Sequence, residues 1–194
     1  MKYPRFIRDI QDDIKASIKR RWGYSGKVVV EDGLKNSAVP FLSKNSELVR
    51  GTKLTVGQSK YLYLFVHWIQ GSRRTDLDLS VASFDENWKP NIVYFGSQVN
   101  SYITHSGDFT NAPAPNGATE YIRIDLNKIP KNIKYIIPFI NVYTGSPFSE
   151  NLEAYVSFMA SDKAEFSINT DHVRYNLTQP ANSNIPYIFE RIVN

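Results

Sequence analysis

From residue 52 onward the chain is a succession of short strand-like runs broken by glycine, proline and asparagine, and that rhythm limits what it can fold into. The runs fall at 52–56, 61–69, 77–84, 92–95, 120–126, 135–143, 154–159 and 164–168. A shorter β-branched run at 28–30 precedes them and is closed by the turn pair Asp32-Gly33. Seven or more strands punctuated by turns, with no helical crossovers between them, exclude a βαβ fold and leave an antiparallel sandwich or barrel. The aromatic content, 12 Tyr and 11 Phe in 194 residues, suits strands better than a helical bundle. The expected class is all-β.

One segment departs from this rhythm. Phe6, Ile7, Ile10, Ile14, Ile18 and Trp22 recur at three- and four-residue steps, which predicts an amphipathic α-helix stopped by Gly23 after the basic turn Lys19-Arg20-Arg21. Residues 1–26 therefore read as a helical arm, and residues 27–194 as a β-domain. Asp9, Asp12 and Asp13 dilute the arm's positive charge, which favours docking on its own domain over binding to membrane or nucleic acid.

The composition narrows function by exclusion. A net charge of +4 with scattered Lys and Arg is the mild excess that keeps a protein in solution. The absence of cysteine removes disulfides, thiolate metal sites and thiol catalysis. There is no signal-like leader and no apolar run near the ~20 residues that span a bilayer, so the expected location is cytoplasmic. Phosphate-binding loops, dinucleotide fingerprints, zinc spacings and internal repeats are missing as well. A strand-like run, 185–189, lies just before Asn194, as expected of a piece of a longer protein.

The chemistry of the chain concentrates in three stretches: Asp76-Leu77-Asp78-Leu79-Ser80, His105-Ser106-Gly107-Asp108, and Glu120 at the head of Glu120-Tyr121-Ile122-Arg123-Ile124. Residues two apart on a strand share a face, so Leu77, Leu79 and Val81 should enter the core while Asp76, Asp78 and Ser80 look the other way. Glu120 falls in phase with Ile122 and Ile124. Calcium takes six to eight hard oxygen ligands, and Asp76, Asp78, Asp108 and Glu120, with carbonyls of the Ser106–Asp108 turn, are candidates. Local roles are open to the same residues: Asp76 as a turn cap, Asp108 in an Asx turn, and Arg73, Arg74 or Arg123 as counter-charges. A hydrolytic triad of His105, Ser106 and Asp108 is a weaker reading, because sequence neighbours rarely take up that geometry and no nucleophile elbow is present. Paired carboxylates also serve glycosidases, yet the aromatic-lined scaffold of such enzymes has no trace here. His67, inside the apolar run 64–68, reads as a half-buried imidazole with a structural partner.

Taken in order, the Asp-x-Asp-x-Ser strand, the His-Ser-Gly-Asp loop, Glu120 and the Ile124-Asp125-Leu126…Ile129-Pro130 segment resemble the TerD family of tellurium-resistance and stress-response proteins. The match covers roughly residues 52–168, through 135–143 to Phe148. The resemblance implies a two-sheet β-sandwich with acidic loops binding Ca²⁺ at one end, no catalytic activity, and a role as an interaction or scaffold module in bacterial stress response or defence. It also implies protein partners or self-assembly, with peripheral membrane association left open. Asp76, Asp78, Asp108 and Glu120 match the family's acidic positions. Its usual further carboxylates are replaced here by Asn111-Ala112-Pro113-Ala114-Pro115-Asn116-Gly117-Ala118-Thr119, which implies a weaker calcium site or its loss, as in a divergent branch. The alternative is a metal-free structural or assembly domain that uses the arm and the sandwich faces.

Overall fold

The structure, a computed structural model, describes residues 59–168, 173–178, 180–184 and 189–190, all within the compact unit Ser43–Asn194. The expected arm helix, the runs at 28–30 and 52–56 and the boundary at 26/27 lie outside the described residues. Ten strands follow one another: β1 (Tyr61–Ile69), β2 (Asp76–Asp85), β3 (Pro90–Val93), β4 (Ile103–His105), β5 (Ala118–Asp125), β6 (Ile133–Thr144), β7 (Glu153–Ser161), β8 (Val173–Asn176), β9 (Ser183–Asn184) and β10 (Phe189–Glu190). They form two antiparallel sheets, one in the order β4-β5-β1-β7-β8 and the other β10-β6-β2-β3, with β9 also on β6.

The two-residue period of the strands builds the core. Leu62, Leu64, Val66 and Trp68 of β1 meet Leu77, Leu79 and Val81 of β2 in one buried cluster, joined by Ile122 and Ile124 of β5. Burying each such side chain contributes roughly 1.5–3 kcal/mol. The alternate residues of β1 are buried too. Tyr61, Tyr63 and Phe65 form a second apolar cluster with Tyr155 and Met159 on the outer face of that sheet.

This outer cluster accounts for a difference from expectation. Residues 164–168 form no strand, because the segment after β7 bends across the sheet. Phe166 stacks flat on Tyr121 with ring centroids 4.2 Å apart, and packs against Tyr63 and Phe65. Phe166 thus covers a sheet instead of extending one, while Ala164 and Ile168 are exposed.

The segment 100–119, read from its composition as a long loop, is pinned along its length. β4 pairs with β5 from Ile103↔Ile124 to His105↔Ile122. Farther on, Gln70 donates its backbone N–H to the Ala112 carbonyl, and its side-chain oxygen accepts from the Ala112 and Thr75 amides. Arg74 Nε donates to the Thr110 carbonyl at 2.8 Å. These contacts fold the loop back over the start of β2, where the aspartates stand.

Candidate metal centre

β2 begins with Asp76 and lies against β6, with Asp78 opposite Asn141 and a register shift between Asp76 and Leu77. The entry to the strand is fixed by buried Thr75, whose carbonyl accepts from Trp68 Nε1 and whose hydroxyl accepts from the Ser146 amide. Gly145 makes this close approach possible. It sits at φ +110°, and a Cβ there would lie 2.4 Å from the Arg74 carbonyl oxygen.

As the alternation requires, Leu77 and Leu79 enter the core while Asp76 and Asp78 take the other face. That face is not solvent-bathed, since both aspartates are only 4% exposed. Asp108 reaches the same place from the exposed loop after β4, following Gly107 at φ +118°. Asp76, Asp78 and Asp108 each offer a carboxylate oxygen, and these oxygens lie within 4.8 Å of one another.

Asp76 and Asp78, buried side by side with a third carboxylate close by, resist ionisation. Burial pushes the Asp78 carboxyl up to about 7, with Asp76 and Asp108 adding repulsion and Asn141 opposing it. Asp76 is raised by burial and by Asp108, with Arg74 acting against both. Asn141 Nδ2 stands 3.5 Å from Asp78 Oδ2, the outer limit of a hydrogen bond. Asp76 Oδ1 is buried with no hydrogen-bond partner. A buried, unpartnered carboxylate oxygen is costly, and a hard cation coordinated by all three groups would remove both the repulsion and the missing contact. The donor set suits Ca²⁺ in type, all oxygen and no nitrogen or sulfur, while leaving ligands for carbonyls and water to supply.

Glu120 is placed differently. It does point inward with Ile122 and Ile124, all three fully buried, but it is not a member of the three-aspartate group. Its Oε2 accepts from the Leu79 amide at 3.0 Å and its Oε1 from the Phe109 amide at 2.9 Å. Burial lifts its carboxyl to about 8, with both amides pulling it back. His105 is also engaged with backbone on both sides: Nε2 meets the Leu79 carbonyl at 2.9 Å and Nδ1 accepts from the Gly107 amide at 3.1 Å. These partners fix the neutral tautomer with Nε2 protonated; burial lowers its pKa, against the opposing pull of the Leu79 carbonyl. The Ser106 hydroxyl accepts from the Tyr121 amide, so the ring nitrogens and the hydroxyl of a His105-Ser106-Asp108 triad are spent on backbone contacts. His67 Nδ1 pairs with Thr119 Oγ1 at 2.9 Å, the structural partner expected of it.

Residues 43–193 match the TerD domain. The chain belongs to the TerD domain family. No curated protein matches it. Among solved structures, this TerD domain resembles the crystal structure of SAV2460, a protein of unknown function, with a TM-score of 0.55 and 17% identity over 70% of this chain and 83% of that one. It also resembles SCO6318 of Streptomyces coelicolor A3(2), described as a homologue of a telluride resistance protein (TerD), with a TM-score of 0.46 and 16% identity over 53% of this chain and 66% of that one. The first likeness shows a shared fold.

Two contributors to the site escaped the sequence reading. Asn141 is a lone amide in the apolar run 135–143, and its alternation with Phe139 and Tyr143 was the available signal. The Leu79 peptide carries no side-chain signal at all.

Proposed function

We propose that this TerD domain is a non-enzymatic calcium-binding module that holds the ion between Asp76, Asp78 and Asp108. The observation that carries the reading is Asp76 Oδ1, a buried carboxylate oxygen without a hydrogen-bond partner, set among like charges. Family membership supports a role in tellurium resistance, and in this reading the module is a cytoplasmic scaffold that joins protein partners in a stress response. The run 111–119 supplies no carboxylate, so three aspartates are expected to give one site of modest affinity.

Calorimetric titration with CaCl2 tests this. Intact protein should bind one ion, and Asp78→Ala and Asp108→Ala should each weaken binding at least tenfold. Absence of heat in the intact protein would favour the alternative, a metal-free assembly domain.

A further inference from the structure

His105 and Glu120, two buried ionisable side chains outside the aspartate group, meet on a single residue, Leu79. Leu79 lies just before β3 joins β2, since that pairing runs only from Val81↔Val93 to Phe84↔Pro90. On this side, among the described residues, its N–H and C=O meet no strand, and side chains from the opposite sheet take the strand's place. Glu120 Oε2 accepts the N–H and His105 Nε2 donates to the C=O. Both atoms are drawn to the same residue, which leaves them 3.7 Å apart.

The second atom of each side chain is the informative one. His105 Nδ1 holds the Gly107 amide, and Glu120 Oε1 holds the Phe109 amide. Gly107 and Phe109 are the two neighbours of Asp108, and Leu79 is the neighbour of Asp78. We propose that His105 and Glu120 are a two-armed latch that fixes the Asp108 loop against β2, making them positioning residues that set the Asp78–Asp108 spacing and not ligands to the ion. A longer β3 would satisfy Leu79 alone; among the described residues it is these side chains that reach Leu79 and the loop together. Without them, buried peptide groups would lose their partners and Asp108 its register.

The inference deepens the cation-site reading and rests on it, but the two can fail separately. The full chain and its Glu120→Gln, His105→Gln and Asp108→Ala variants would be compared in two measurements. The first is amide hydrogen exchange by NMR. Glutamine offers one acceptor oxygen where glutamate offers two, so Glu120→Gln should speed exchange at Leu79 or Phe109 at least tenfold and spare Gly107. His105→Gln should do the converse, speeding Gly107.

The second is terbium luminescence, with lifetimes in H2O and D2O counting the waters on the bound ion. The latch requires Glu120→Gln and His105→Gln to bind terbium about tenfold more weakly with the wild-type number of waters. Asp108→Ala should gain one water and keep protected amides at Gly107 and Phe109. A gain of one water in Glu120→Gln would make Glu120 a ligand and overturn the proposal. Wild-type exchange rates at Leu79 and Phe109 in that variant would overturn it equally. Should the intact protein bind no terbium, the cation reading falls, and the exchange rates still decide whether the latch holds the loop.

Discussion

Asp78 is held between two demands: its strand withdraws it from water, and its neighbours carry its own charge. The pH dependence follows. In the folded chain Asp78 keeps its proton up to about 7 and Glu120 up to about 8, against ordinary values of 3.8 and 4.5. Between roughly pH 4 and 8 these two carboxyls therefore bind more protons in the folded state than in the unfolded one, and above about pH 6.5, where the buried His105 and half-buried His67 no longer take up protons on unfolding, stability falls as pH rises. Thermal unfolding in chelator should show a declining melting temperature from about pH 6.5 to 8. Asp78→Asn, which cannot ionise, should flatten that decline and stabilise the chelated protein at pH 8 by on the order of 1–3 kcal/mol. A melting temperature that rises across the window would refute the reading. The alternation Asp76-Leu77-Asp78-Leu79 did reveal which way these side chains point. It could not reveal that the polar face would be buried as well, because that depends on β6 and on a loop 30 residues away. Glu120 was legible in the same partial way: its phase with Ile122 and Ile124 put it in the core, and its backbone partners there come from residues that local patterning does not connect.

At the scale of elements, the loop between β3 and β5 matters most. Its polar composition hid β4 and its anchorage to Gln70 and Arg74, since both depend on partners distant in sequence. Gln70 Oε1 serves two amides at once. Gln70→Ala should therefore cost about 1–3 kcal/mol in urea unfolding, in proportion to the amides it leaves unpaired. Gly145 is the second test. Its positive φ and the 2.4 Å approach to the Arg74 carbonyl leave no room for a methyl, so Gly145→Ala should destabilise by about 2 kcal/mol or more and weaken calcium binding by displacing the start of β2. Unchanged stability would mean that the turn is not held as described. The run at 164–168 shows the converse limit of patterning. Its apolar residues were legible, but a strand and a cover for the Tyr63 and Phe65 face need the same composition.

For the whole molecule, two antiparallel sheets around one core follow from strand rhythm and turn residues, while strand order and register come from long-range pairing that no local pattern encodes. Leu64 is fully buried in that core, and Leu64→Ala should cost about 2–5 kcal/mol by denaturant unfolding, against little for Leu152→Ala, whose side chain is 70% exposed. Ion binding should act on the whole domain: calcium at a hundredfold excess over its dissociation constant stabilises the folded state by about 2.7 kcal/mol. The central claim is the ion's position, and the most direct test is a crystal grown in saturating calcium and examined by anomalous scattering. The account expects a single peak about 2.3–2.6 Å from oxygens of Asp76, Asp78 and Asp108, with Glu120 outside its coordination shell. An empty cluster, or an ion bound elsewhere, would contradict it.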